Sequence, residues 1–285
     1  MATVIEPITK RGKRAHAHNL FGHARRLFRW AIPLYLEYSP CAQLSPRRLI
    51  GERQKRARAL TNDEIVALWR ATRRGRAPYD HLYRALLLTS LRLSEASEAQ
   101  WSEIDIKTRT WVIPAERMKK TGREAKPHLV PLTDDMVRLL ESIPRFHGGT
   151  YVFSADGGKN PIRANAMSKP KARLDSRMLR TLKALTRKRG DDPKRVTLAD
   201  WVNHDLRRTV RSNLSALRIE EEVREAVLAH ARPGIKSTYD LHDYADEKRE
   251  ALELWGARLR TIVEATIGDE GGRVGKSESL SPWRA

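Results

Sequence analysis

The chain has 285 residues, enough for one large domain or two modest ones with a sizeable core. It carries 55 Lys and Arg against 35 Asp and Glu, a formal charge of +20, and its sequence pI is about 10.4. An excess of that size predicts a polyanionic partner, nucleic acid ahead of an anionic membrane surface. One cysteine, Cys41, excludes an internal disulfide and any multi-cysteine zinc site. No apolar run is long enough to span a bilayer, and Met1–Lys10 lacks the apolar core of a signal peptide. The chain therefore reads as cytosolic.

Residues 1–59 hold thirteen Lys and Arg against three acidic residues. Within them His18–Tyr38 reads as an amphipathic helix, with Leu20, Ala24, Leu27, Phe28, Ala31 and Leu34 on one side and Pro33 as a kink or stop. It predicts a small helical unit over 1–50. His16 and His18 do not share a helix face and have no third ligand in view, so they predict no metal site. Gly51–Ala59 is charged, lacks apolar periodicity and reads as a linker.

A second domain is expected over 60–265. Thr61 and Glu64 form a capping-box pattern ahead of Ile65, Leu68 and Trp69. A helix over Tyr79–Leu91 buries Leu82, Ala85, Leu86 and Thr89, and Ser94 is placed to cap a following helix that runs to about Ala99. The period then changes to two: Trp101–Ile106 and Thr110–Ile113 read as strands around an Asp105–Arg109 turn. A basic loop, Pro114–Lys126, leads to a third strand at Leu129–Leu132. Thr133 caps a helix over Met136–Ser142, Tyr151–Phe153 is a short extended piece, and Gly157-Gly158 is a turn. Residues 169–195 hold eleven Lys and Arg against three Asp, with Leu174, Met178, Leu182 and Leu185 at helical spacing. Helices follow over Asp205–Leu217, Glu220–Ala229 and Ala245–Val263, the last with a stripe of Leu252, Trp255, Leu259 and Ile262. Residues 266–285 are Gly- and Ser-rich and read as a flexible tail. The fold class is therefore mainly α with a small antiparallel β-sheet. No glycine-rich phosphate loop is present, which argues against nucleoside triphosphate chemistry.

Several polar groups cluster at element ends. Arg92 follows a buried helix, and Lys119 with its neighbour Lys120 lies in the basic loop. His204 and Arg207 stand three apart on one helix face, and Arg208 beside them reads as facing solvent or backbone. His230 closes Leu-Ala-His, and Tyr239 follows nine residues later, with Tyr244 as a competitor. His230 taken alone reads equally as a satisfied core histidine, and Trp255 reads as core.

The segments Leu-Thr-Ser-Leu-Arg92-Leu-Ser-Glu, Arg-Met-Lys119-Lys-Thr-Gly, His204-Asp-Leu-Arg207-Arg-Thr and Leu-Ala-His230 with Tyr239 stand in the order of one family. Trp101–Asp105 and His128–Leu132 fit between them. The chain resembles the tyrosine recombinases, the phage-type integrases, and within them those of bacterial prophages and genomic islands. The resemblance covers roughly residues 15–260. It implies that Tyr239 attacks a DNA phosphodiester, that Arg92 and Arg207 clamp the phosphate oxygens, and that Lys119, favoured by the family's Met-Lys pattern, protonates the leaving 5′-oxygen. It further implies that His204 handles the tyrosine proton, that His230 hydrogen-bonds the phosphate, and that Glu95 orients nearby basic groups.

The implied reaction is transesterification through a 3′-phosphotyrosyl link. It needs no ATP, metal or other cofactor. The implied partners are double-stranded DNA at attachment sites and further copies of the chain in a homo-tetramer. Accessory DNA-bending or excisionase proteins belong to the same expectation, as does a bacterial cytoplasmic location on the nucleoid. Helices in the C-terminal part of relatives pack between protomers, so the 252–262 stripe is expected either there or inside its own domain. Ala15–Pro40 resembles only the last part of the family's helical core-binding domain, and no arm-binding domain precedes it. Two alternatives remain at this point: a DNA-binding remnant without strand exchange, and DNA relaxation of the type IB topoisomerase kind.

Overall fold

The computed structural model describes residues 1–53, 56–73, 77–118, 126–230 and 242–265. Its chain forms two compact units, Met1–Ala57 and Arg58–Ala285.

In the first unit, α1 (Ala2–Lys10), α2 (Arg14–Tyr35) and α3 (Pro46–Ile50) pack together. Their core is Ile5, Ala17, Phe21, Ala24, Cys41 and Ile50, with Leu20 and Phe28 at its edge. This corrects the expected apolar side of α2. Leu27 and Leu34 are 58 % and 61 % exposed, because Ala17, Phe21 and Ala24 turn toward α1, a helix the sequence reading did not assign. Pro33 lies inside α2, which runs two residues beyond it.

The second unit begins on the capping box. The Thr61 amide donates to Glu64 Oε2 (2.8 Å) and the Glu64 amide to Thr61 Oγ1 (3.3 Å), which satisfies amides at the start of α4 (Asn62–Arg73). Arg58 holds the same carboxylate through Nη1 (2.9 Å) and Nη2 (2.6 Å). Helix α4 packs along α8 (Ser168–Lys188), whose Leu174, Met178, Leu182 and Leu185 are all buried. Asp63 grips Arg189 at the far end of α8, and that guanidinium holds the carboxyl below the ordinary aspartate range. Buried Asp80, in the first turn of α5 (Tyr79–Thr89), takes a bidentate pair from Arg177 at 2.8 and 2.6 Å.

The three-stranded antiparallel sheet has the order β1 (Ile104–Asp105), β2 (Thr110–Ile113), β3 (His128–Pro131), with Trp111 opposite Val130 and Ile113 opposite His128. These four residues are buried. Trp101–Glu103 is a 3₁₀ turn rather than strand, so the expected first strand shrinks to two residues. Asp105 Oδ1 accepts the Lys107 and Thr108 amides at 2.8 and 3.1 Å and closes the expected turn, whose last residue, Arg109, is left-handed. Thr133 Oγ1 accepts the Met136 amide and caps α7 (Asp134–Glu141). The Gly157-Gly158 turn is tighter than composition requires. A Cβ on Gly158 would stand 2.6 Å from Gly149 Cα, and its φ is +85°.

Helices α9 (Asn203–Ala216), α10 (Glu221–Val227) and α11 (Ala245–Ala265) complete the unit. The stripe of α11 belongs to this same core: Leu252, Trp255, Leu259 and Ile262 are buried, and Trp255 Nε1 donates to the Leu87 carbonyl at 2.8 Å. Of the two placements expected for this stripe the structure has the second: its apolar face is buried within its own domain. No described helix is long and apolar enough to cross a membrane.

Candidate active site

The site grows from three chain segments that are remote in sequence. The first is the end of α5. Ser90 takes left-handed φ +62° as the helix C-cap, and the chain turns at once into α6 (Leu93–Ser97) with Arg92 as N-cap. Ser94, expected to be the cap, lies inside α6. Buried Glu95, in the first turn, places one carboxylate oxygen on the Arg92 amide (2.8 Å) and the other on the Arg92 guanidinium. Glu95 thus fixes both the backbone and the side chain of Arg92, which stays 22 % exposed.

The second segment is the first turn of α9. Buried Asp205 accepts the Val202 amide (2.9 Å) and pairs with Arg208, so Arg208 has a carboxylate partner rather than open solvent. His204, at this helix start, is partly exposed and partly covered. Arg207, one turn on, is 3 % exposed. Its Nη1 donates to the Ser90 carbonyl at 2.7 Å and its Nη2 to the Leu228 carbonyl. One guanidinium thereby ties the end of α5 to the third segment, the end of α10. A guanidinium has five N–H donors, so these two bonds leave others for an anion.

At the third segment Ala229 is left-handed, and the His230 amide donates to the Glu225 carbonyl at 3.0 Å. The His230 ring pairs through Nδ1 with Glu225 Oε2. Glu225 Oε1 accepts Arg211 Nε (3.0 Å) and Nη2 (2.7 Å).

The structure therefore brings Arg92, His204, Arg207 and His230 into one electrostatic neighbourhood, and each histidine feels both arginines. Burial, and next the charge of Arg92, pushes Arg207 down to about 10, against the pull of Glu95 and Glu225. It remains a cation at neutral pH. Burial first, then Arg208, Arg207 and Arg92, lowers His204 below the usual histidine value. Burial also lowers His230, with Arg207 and Arg92 acting in the same direction and Glu225 opposing. Two cations, and two imidazoles that their charge and burial shift toward the neutral form, suit an anion that accepts hydrogen bonds and gains a proton acceptor beside it. Lys119, its alternative Lys120, and Tyr239 lie outside the described residues. Tyr244 is within them, at the start of α11, with its ring 4.5 Å from that of His242.

Sequence reasoning missed four participants. His128, the first residue of β3, is buried and is pushed down to about 3 by burial and by Lys248, Arg207 and Arg92, while the Val227 carbonyl acts against them as its hydrogen-bond partner. Lys248 is buried with Nζ on the Leu129 carbonyl at 3.0 Å. Arg211 and Glu225 lie inside two of the expected helices, Asp205–Leu217 and Glu220–Ala229, with no role expected for either. Arg211 carries a signal that was available, lying one turn beyond Arg207. His128 stands in a segment that fits the family but gave no role of its own, while Lys248 and the Arg211–Glu225 pair carry none, because their partners come from other elements.

Residues 58–246 match the phage integrase family, and the chain belongs to that family. Among curated relatives, prophage integrase IntA of Escherichia coli is 31% identical over 188 residues, 65% of this chain and 40% of the relative. Prophage integrase IntZ of the same species is 26% identical over 203 residues, 70% of this chain and 44% of the relative. The chain thus spans less than half the length of these relatives. Its fold is similar to that of a chain of the lambda integrase dimer bound to a COC' core site (TM-score 0.56, 18% identity, 82% of this chain and 81% of the other). The Tn1549 transposon integrase in complex with circular intermediate DNA has it too (TM-score 0.60, 14% identity, 87% and 82%).

Proposed function

We propose that this chain cuts and rejoins double-stranded DNA at specific sites. The observation that carries the reading is the convergence of Arg92, Arg207, His204 and His230, from three separate segments, on one cationic site in a phage integrase fold. Arg92 and Arg207 hold the non-bridging oxygens of the scissile phosphate and stabilise the charge that grows on pentacoordinate phosphorus. Tyr239 attacks phosphorus, its proton passes to neutral His204, and the bond from phosphorus to the 5′-oxygen breaks. Lys119 gives that oxygen its proton. The products are a 3′-phosphotyrosyl link and a free 5′-hydroxyl. Attack by another strand's 5′-hydroxyl reverses the step and frees the tyrosine. The link conserves the bond energy. Tyr239 is preferred to Tyr244 because the latter ring packs against the core beside His242.

Two further assignments rest on family likeness. Residues 1–50 act as part of a core-binding domain and 60–265 as the catalytic domain, joined by 51–59. Strand exchange takes a homo-tetramer on two attachment sites in the bacterial cytoplasm, with accessory DNA-bending or excisionase proteins. The similarity of the fold to a lambda integrase tetramer bound to a Holliday junction supports the tetramer (TM-score 0.56).

Nicked duplexes taken from the sequences that flank the gene test the chemistry, because the cut fragment diffuses away and traps the intermediate. The expected result is a protein–DNA adduct that survives denaturant and is absent with Tyr239→Phe. No adduct from the unaltered chain, or one that persists in Tyr239→Phe, overturns the assignment.

A further inference from the structure

The pair between His230 and Glu225 has more structure around it than a helix end requires. A carboxylate can only accept, so the proton between Glu225 Oε2 and His230 Nδ1 belongs to the ring. Glu225 is itself fixed from α9 by two bonds from Arg211, 3.0 and 2.7 Å long, both to the oxygen that His230 does not use. The three side chains form a line: Arg211, Glu225, His230. Its open end is the ring, which is 40 % exposed. Among the described residues no hydrogen bond engages Nε2. The backbone that leads into the ring is held as well, by Arg207 on the Leu228 carbonyl and by the His230 amide on the Glu225 carbonyl.

We propose that Glu225, braced by Arg211, is a positioning residue: it fixes the His230 ring through Nδ1 and stabilises the imidazolium that forms when a DNA phosphate meets Nε2. This rests on the reading of His230 as a phosphate ligand. Among the described residues, the charges that face the ring are Glu225 from α10, Arg207 and, behind Glu225, Arg211 from α9, and Arg92 at the start of α6. In the free protein burial and the two site arginines keep the imidazole neutral against Glu225. With Nδ1–H committed to the carboxylate, neutral Nε2 is a lone pair, which cannot donate to phosphate. A bound phosphodiester offsets the field of Arg92 and Arg207. The ring then takes up a proton from water, and both nitrogens donate, Nδ1 to Glu225 and Nε2 to the phosphate. Without the Glu225 carboxylate that protonation becomes harder, while the ring remains in the site.

The test is Glu225→Gln in the full chain, read two ways. The first is the His230 titration, followed by nitrogen-15 NMR of the imidazole in the free protein. Its pKa is expected to fall by about one unit, the shift expected from removing a carboxylate in contact. The second is the pH profile of single-turnover cleavage of a nicked duplex. Loss of cleavage on the basic side is expected to begin about one pH unit lower than in the unaltered chain, so acidification restores part of the rate. Glu225→Asp keeps the charge and shortens its reach, and is expected to lower the rate with less than half that displacement. If Glu225 merely ties α9 to α10, Glu225→Gln lowers thermal stability and leaves both the titration and the limb unmoved, which overturns the proposal. The titration arm also separates the two claims: a chain that forms no adduct yet shows the His230 shift refutes the recombinase reading and keeps the Glu225–His230 linkage. An unmoved His230 with normal cleavage does the reverse.

Discussion

Arg207 and His128 show how much one side chain can organise. Arg207 is both a candidate phosphate ligand and the clasp between two backbone carbonyls, so its geometry is set before any DNA arrives. His128 lies behind it as a buried neutral ring among Lys248, Arg207 and Arg92. Its folded pKa of about 3 lies below the ordinary 6.5, so between those values the unfolded chain binds a proton that the native chain does not. Its stabilising effect is complete above pH 6.5 and is lost as pH falls toward 3. Urea denaturation at pH 7 and again near pH 5.5, where few carboxylates have begun to titrate, is expected to show falling stability, with a slope from this ring of up to ~1.4 kcal/mol per pH unit. His204 and His81, also lowered by burial, add in the same direction. His128→Asn is expected to flatten the slope, and an unchanged slope would assign the acid sensitivity to the other histidines.

Among the elements, α11 answers a question that its sequence leaves open. A stripe of Leu252, Trp255, Leu259 and Ile262 is equally suited to a neighbouring protomer or to its own core. Here it closes its own core, with the Trp255 indole hydrogen-bonded to Leu87 on α5. Trp255→Ala is expected to cost about 3–5 kcal/mol in denaturant unfolding, the range for deleting a buried aromatic ring. A residue that served only an interface would lose less than about 0.5 kcal/mol in the isolated chain. The caps were legible because each is local: Thr61 with Glu64, and Thr133 with Met136, lie within one turn. Helix α2 was misread because a 3.6-residue period locates an apolar stripe only when one side is uniformly polar. Leu27, Trp30, Leu34 and Tyr35 spread apolar surface around it, and all four are mostly exposed.

For the whole molecule, the charge of +20 is a statement about partners. Many cations already have internal partners: Arg177 serves Asp80, Arg189 serves Asp63, and Arg58 serves Glu64. The net excess remains after such pairs cancel, and it is the part available to a polyanion. Affinity for duplex DNA is expected to fall steeply with salt, with a log–log slope of about −0.9 per phosphate neutralised. With six phosphates engaged, that is roughly a thousand-fold loss between about 50 and 200 mM salt, measurable by fluorescence anisotropy. A flat salt dependence would sink the reading of the basic surface.

The sequence by itself determined the helical character, the hairpin, the capped helix starts and the family, because periodicity, caps and short motifs are properties of neighbouring residues. It also singled out Arg92, His204, Arg207 and His230 as candidates. Only the tertiary structure decided that Arg207 is a buried clasp, that α6 starts at Arg92 with Glu95 on its amide rather than at Ser94, and that His128, Arg211 and Glu225 stand around the site. The Arg207 bond to Ser90 joins residues 117 positions apart. A contact across that separation leaves no local pattern. It exists because packing α5, α9 and α10 together leaves the Ser90 and Leu228 carbonyls buried, and buried carbonyls need donors.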